Sequence, residues 1–304
     1  MIKIKKGLDL PISGNPDPII SDKPNVTSVA LLANDFIGMK PTMLVKEGDE
    51  VKAGSKIFED KKNPGVFFTS PAGGTVTSIN RGEKRKFLSI EIDISNNEQF
   101  VDFTEKMNGD NLKELLIESG LWNSFRTRPF NRTPSTDKSP QALFINACDT
   151  NPLAIDPYVI IEKDKEIFNL ALESIKKYFS CPIHLSHQND AFNNDVDGSN
   201  YHQFAGPHPA GLASTHISKI YPVNLNRVAW TINYQDIISL GYLLKNNKIR
   251  TYKTISLAGS NVFDPSLIEA RIGGNLDELV AGKIETHSRI ISGSVIYGLS
   301  LIHI

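Results

Sequence analysis

Trp122, Phe125, Arg126, Arg128, Phe130 and Arg132 place three arginines and three aromatic rings within eleven positions. A guanidinium is a planar fork that pairs with an oxygen and still stacks on a ring. That composition suits a planar or anionic ligand. It equally suits a protein contact, or a loop with buried rings and solvated arginines. The histidines are less suggestive. His184 and His187 stand three apart at a predicted strand end, and His208 and His216 lie in or after a proline-rich loop. No third and fourth metal ligand can be named beside them. Cys148 and Cys181 have no cysteine neighbours at metal spacing and read as buried thiols in a reducing compartment.

Phosphate-binding glycine motifs are missing: neither Gly-x-Gly-x-x-Gly nor Gly-x-x-x-x-Gly-Lys-Ser/Thr occurs. The threonine motif used for phosphoester-linked flavin is missing too, since Gly211-Leu212-Ala213-Ser214-Thr215 has the wrong order. No nucleophile elbow, zinc-protease helix or paired catalytic carboxylates are found. Composition narrows the field further. The 304 residues carry 33 basic and 34 acidic side chains, so the basic excess of a nucleic-acid binder is lacking. No apolar window is long enough to span a bilayer. The chain is expected to be soluble and cytoplasmic, reaching a membrane only through a partner.

The elements that must position these residues fall into three groups. Residues 41–94 alternate short strands with glycine turns at Gly48-Asp49 and Gly54, with Leu44, Val51, Ile57 and Phe58 as expected core. Arg81 to Lys86 reads as a charged hairpin turn. The order Val-x-x-Gly-Asp-x-Val-x-x-Gly, then Ser-Pro-x-x-Gly-x-Val, resembles the lipoyl/biotinyl-carrier barrel-sandwich. The expected carrier tip reads Asp60-Lys61-Lys62-Asn63-Pro64-Gly65, which lacks the carrier's flanking residues and points to a structural barrel.

After a polar linker at 95–109, Asp110 is expected to cap a helix through Leu112, Leu115 and Leu116 that ends at Gly120. Strands are expected at 141–148, 182–186 and 226–232, and helices at 164–179 and 234–244. The apolar face of the first of these two helices is read as Ile167, Leu170, Ala171 and Ile175. Such alternation makes a parallel or mixed sheet covered by helices, a Rossmann-like layer. Strands at 253–259, 265–272 and 290–295 and a helix from Gly273 to Val280 resemble the opening of a β-grasp. The expected architecture is therefore α/β and multidomain: a barrel-sandwich at 1–100 with an N-terminal extension, a Rossmann-like domain at 110–250, and a partial β-grasp at 251–298. Residues 299–304 read as a non-native tail on a chain whose natural C-terminal part is missing.

This order of parts closely resembles the NqrA family, the A subunits of the sodium-translocating NADH:quinone reductase. The resemblance runs from Met1 to about Gly298. It rests on blocks such as Lys5-Lys6-Gly7-Leu8-Asp9-Leu10-Pro11-Ile12, Ser119-Gly120-Leu121-Trp122, Arg126-Thr127-Arg128-Pro129-Phe130 and Gly206-Pro207-His208-Pro209-Ala210-Gly211-Leu212. The family is more distantly similar to the flavin-binding component of complex I and to the C subunit of the Rnf complex. There a glycine-rich loop after Ser-Gly-Leu holds flavin phosphate, whereas here bulky Trp122, Asn123, Ser124 and Phe125 stand in its place.

The resemblance implies a peripheral component on the cytoplasmic face of the bacterial inner membrane, within a hetero-hexameric Nqr complex whose six different subunits run from A to F. That complex oxidises NADH, reduces a quinone such as ubiquinone and exports sodium. It implies no cofactor on this chain, with FMN, riboflavin, FAD and iron–sulfur carried by other components. It further implies a quinone-binding region near the membrane-embedded B subunit (NqrB), with the C subunit (NqrC) as a further partner. That region falls on residues 32–39, with Leu32, Asn34, Asp35, Phe36, Ile37, Gly38 and Met39, and on Phe130 to Asp137, with Phe130 and Arg132; Arg126 and Arg128 are expected to meet a quinone oxygen or to anchor the B subunit. The alternatives are a pure scaffold with no quinone contact, and a Rnf-type electron carrier, which would need cysteine clusters.

Overall fold

The computed structural model describes residues 1–107, 111–192 and 198–300. Two strands, β1 (Ile2–Lys3) and β2 (Asp17–Asp22), precede the barrel. The barrel is built from β3 (Ser28–Leu32), β4 (Pro41–Met43), β5 (Glu50–Val51), β6 (Lys56–Asp60), β7 (Phe67–Thr69), β8 (Gly74–Arg81) and β9 (Phe87–Ile94). One sheet runs β3-β9-β8-β5 and the other β4-β6-β7. Gly48 and Gly54 take positive φ, 89° and 95°, as the turns require. Val51, Ile57 and Phe58 are buried as expected. Leu44 is not: it is 47% exposed, because it follows the last paired residue of β4 and turns outward.

Residues 95–103 are more ordered than a polar linker. Ala53 bridges Phe100, Val101 N–H donates to Ala53 O, and Phe103 is buried. Two aromatic rings in an otherwise polar run are enough to dock it. α1 (Thr104–Met107) and α2 (Leu112–Glu118) follow. Asp110 lies outside the described residues. The α2 cap is Asn111, whose side chain accepts from Glu114 N–H and donates to the Glu114 carboxylate, a reciprocal capping arrangement. Gly120, at φ 78°, closes the helix.

The second domain contains β10 (Arg126–Arg128), β11 (Leu143–Ala147), α3 (Pro157–Lys163), α4 (Lys165–Tyr178), β12 (Ile183–His187), β13 (Asn200–Ala205), α5 (Ala213–Ile220), β14 (Ala229–Asn233) and α6 (Tyr234–Asn246). Its sheet runs β1-β13-β12-β11-β14-β10 and is parallel except at β10. The start of the N-terminal extension therefore forms an edge of this sheet, paired with β13 some two hundred positions away. The buried face of α4 is Phe168, Ala171, Leu172 and Ile175; Ile167 and Leu170 are only half-buried. α6 crosses at Ile167: a Cβ on Gly241 would stand 1.9 Å from Ile167 O, so glycine alone allows that approach.

Adjacent strands β12 and β13 bring His184 Nδ1 within 3.0 Å of His202 Nε2. Burial, then the neighbouring His202, pushes His184 down to about 4. Buried His216, whose Nε2 donates to Ala210 O, is also lowered to about 4 by burial. An unfolded histidine titrates near 6.5. Between pH 6.5 and 4 the unfolded chain therefore binds protons that the folded chain refuses. Stability is full above pH 6.5 and falls as the pH drops toward 4. We expect a loss of about 2 kcal/mol for each of the two histidines, roughly 4 kcal/mol by pH 5 in urea unfolding, with His184→Gln removing about half of the slope. A flat profile from pH 7 to 5 would contradict this.

The third unit holds β15 (Tyr252–Leu257), β16 (Ser266–Arg271), α7 (Leu276–Val280), β17 (Ile291–Ser292) and β18 (Leu299–Ser300). β2 pairs in parallel with β16 to complete the sheet β15-β16-β2, so the extension threads this domain as well. Of the strand expected at 290–295, only Ile291–Ser292 pairs, with Leu299–Ser300. Residues 301–304 of the expected tail lie outside the described residues. β3 is joined to this unit through Ala30 N–H to Gly273 O at 2.8 Å and Asn275 N–H to Ser28 O at 3.1 Å.

Candidate functional site

The barrel hairpin at 60–65, where carrier proteins present a modified lysine, is a joint here. Asp60 is buried, and its Oδ1 accepts from Lys40 N–H and Lys62 N–H, each at 3.0 Å. Lys62 Nζ donates to Gly38 O at 3.0 Å. Asn63 Nδ2 donates to Pro134 O at 3.1 Å. One side of the hairpin thus fixes the turn around 36–40, and the other fixes the loop at 133–134. The two stretches expected to share a site are almost a hundred residues apart, and this hairpin brings them together.

Within the first stretch, Leu32 ends β3 opposite Ser89. Phe36 is half-buried, edge-on to Phe68 at 4.4 Å and Phe58 at 6.2 Å between ring centres. Met39 is half-buried against the same core. Asn34, Asp35 and Gly38 are exposed, and Ile37 is 59% exposed. Partial desolvation raises the Asp35 carboxyl above its usual value. Phe36 and Met39 anchor the turn, while Ile37 is presented outward.

The arginines in and before the second stretch divide by role. Arg126 Nη1 donates to Phe125 O at 3.2 Å, to Thr133 Oγ1 at 2.9 Å and to Asn123 O. These bonds tie Arg126 to its own loop. Arg128 is half-buried, and its Nε is buried with no acceptor among the described residues. Burial lowers the pKa of both guanidiniums. Arg132 is exposed and lies over Gly38: a Cβ there would stand 3.7 Å from Arg132 Nε. Phe130 is 59% exposed in the tight turn closed by Thr127 N–H to Arg132 O at 2.7 Å. The structure thus gathers Gly38, Arg132 and the hairpin into one surface. It draws Phe36 and Arg126 inward.

The bulky residues at 121–125 form the core beneath. Residues Leu121–Ser124 make one 3-10 turn. Trp122 and Phe125 are fully buried against Trp230, and Phe125 also against Phe179. Trp122 Nε1 donates to Pro134 O at 2.9 Å, a second tie on the loop. Sequence reasoning missed Lys62, Asn63 and Pro134 as organisers. The Asn63-Pro64-Gly65 turn was the available signal, since its side-chain amide is free to reach beyond its own hairpin. Cys148 is buried and Cys181 half-buried, and burial raises both thiols above their usual range. No cluster of three or more His, Cys, Asp or Glu able to hold a metal occurs among the described residues.

Comparison with known proteins covers nearly the whole chain. Residues 2–95 match the model of the NqrA N-terminal barrel-sandwich hybrid domain. Residues 107–249 match the NqrA second alpha/beta domain, and 254–301 the NQRA C-terminal domain. The chain is 45% identical to the A subunit of the Na(+)-translocating NADH-quinone reductase of Neisseria meningitidis serogroup C over 310 aligned residues. That alignment covers 98% of this chain and 69% of the relative. The protein of the same name from Yersinia pestis bv. Antiqua is 44% identical over 307 residues, with the same coverage.

Proposed function

The chain belongs to the NqrA family, the A subunits of the Na(+)-translocating NADH-quinone reductase, and from that premise we propose that it serves as a peripheral component of such a complex. In this reading the complex couples NADH oxidation and quinone reduction to sodium export. The surface made by residues 32–39 and 126–132 contributes to the quinone site and docks on the membrane-embedded NqrB. NqrC is a further neighbour. Flavins, iron–sulfur and the NADH site belong to the other members of a six-membered assembly. No helix among the described residues is long and apolar enough to cross a membrane, which fits a protein held at the cytoplasmic face by its partners.

The observation that carries the reading is the convergence of these two stretches on the barrel hairpin, with Arg128 left short of acceptors. A half-buried guanidinium whose buried Nε has no acceptor gains from any oxygen brought to its terminal N–H groups. A quinone carbonyl supplies one, and the negative charge that develops on reduction strengthens the bond. Ile37 and Phe130 offer apolar contact for the ring or tail.

The scaffold reading has its own support in Phe36 and Arg126, which are engaged internally. Arg128→Ala in the assembled complex separates the two. A hydrogen bond to a charged group is worth about 1.5–3 kcal/mol, so quinone reduction is expected to fall roughly 10- to 100-fold. NADH oxidation by an artificial acceptor should be spared. Unchanged quinone reduction would leave the scaffold role, and equal loss of both activities would mean failed assembly.

A further inference from the structure

The cationic residues near this surface form a larger feature that quinone contact does not explain. β3 ends at Leu32 beside Ser89, so the turn at 33–40 starts next to the β8–β9 hairpin at 81–87. Lys61 N–H donates to Lys40 O at 2.8 Å, which sets the hairpin at 60–65 against the same turn. Phe36, Phe58, Phe68 and Phe87 pack beneath all three turns, with ring centres 4.4 to 6.2 Å apart. One end of the barrel therefore presents Lys40, Lys61, Lys62, Lys84, Arg85 and Lys86, all exposed. None of the six makes an ion pair among the described residues. Arg132 adds a seventh cation. The exposed carboxylates on these turns are Asp35 and Glu83, while Asp60 is buried and engaged by backbone N–H groups. Seven cations against two exposed carboxylates make this end locally positive, on a chain whose net charge is −1.

Ile37, Leu88 and Phe130 stand exposed among these cations, at 59%, 46% and 59%. Singly protruding apolar side chains ringed by unpaired lysines suit an interface of headgroups over acyl chains. Five of the six cations are lysines, compact point charges without the fixed fork that a shaped carboxylate site favours. We propose that this end of the barrel is a membrane-contact surface that binds anionic phospholipid headgroups, with Ile37, Leu88 and Phe130 entering the interface. The inference rests on the proposed function in turning this end toward the membrane. Its test contains neither quinone nor a partner protein, so the two can fail separately.

The test is flotation of the protein with vesicles of equimolar phosphatidylglycerol and phosphatidylcholine, compared with phosphatidylcholine alone. At about 0.05 M salt, where screening is weak, the anionic vesicles are expected to bind at least ~10-fold more protein, and that excess to vanish near 0.5 M. Lys61→Glu with Lys62→Glu, and separately Lys84→Glu with Arg85→Glu, should each weaken binding by ~10-fold or more. Lys176→Glu with Lys177→Glu, exposed at the far end of α4, is the charge-matched control and should bind like the parent. Lys84→Gln with Arg85→Gln gives a milder change on an exposed turn if a reversal disturbs folding. Equal binding to both vesicle types, or barrel-end variants that bind like the control, would overturn the proposal.

Discussion

Arg271→Ala is expected to lower the unfolding free energy by about 3–5 kcal/mol, the cost of stranding one partner of a buried ion pair. The Arg271 side chain is 4% exposed and that of Glu98 is 18% exposed. Arg271 Nη1 donates to Glu98 Oε2 at 3.1 Å, and its Nη2 donates to Pro71 O at 3.1 Å and to Glu98 Oε1. Glu98 in turn accepts from Gly73 N–H at 2.8 Å. This one side chain, at the end of β16, holds the third unit to the barrel and to the strand-like segment behind it. Truncation leaves the half-buried Glu98 carboxylate without its cation. The paired change Arg271→Met with Glu98→Gln removes both charges and should recover much of the loss. Urea unfolding followed by circular dichroism reads the difference. A loss under about 1 kcal/mol for Arg271→Ala would mean that water screens the pair as it does a surface bridge.

Trp122→Ala is expected to cost about 3–5 kcal/mol as well, through a cavity that the surrounding rings cannot fill. The indole is 1% exposed and lies 5.8 Å from Phe125 and 5.6 Å from Trp230 between ring centres. Trp122→Phe keeps most of that contact and loses only the Nε1 bond to Pro134 O. Its expected cost is about 1 kcal/mol. The functional consequence differs in kind. Releasing Pro134 loosens the loop that carries Phe130 and Arg132, so Trp122→Phe should weaken quinone reduction in the assembled complex more than it weakens folding. Fluorescence of Trp230, the one tryptophan left, reports the unfolding transition. Equal costs for the two variants would show that volume is irrelevant at this position and would contradict the cavity argument.

The barrel is legible in the sequence because its turns demand glycine and its strands are short and apolar. Gly48, Gly54, Val51, Ile57 and Phe58 behave as their types dictate. α4 and α6 are legible from helical spacing, although the buried face of α4 takes in Phe168 and Leu172 where Ile167 and Leu170 are expected. β1 and β2 are not. Strands this short carry little periodicity, and their partners lie about 200 and 250 positions away. β13 escapes notice because Asn200-Tyr201-His202-Gln203 is polar, as it can be beside an edge strand as short as β1. Within the site, residue types mark an arginine–aromatic loop. They do not distinguish Arg126, which binds its own loop, from Arg128, which is left short of acceptors. That division depends on Thr133 and on the backbone carbonyls of residues 123 and 125, which no spacing rule brings into view.

The proposed function requires that quinone meet the surface formed by residues 32–39 and 126–132. A photoreactive quinone, activated in the assembled complex and traced by peptide mapping, reads that contact without relying on activity. Label is expected on peptides of this chain containing Ile37 or Phe130, suppressed by excess unlabelled quinone and reduced in Arg128→Ala. Label confined to the other proteins of the complex, with none on this chain above the level that excess quinone leaves, would contradict the proposal.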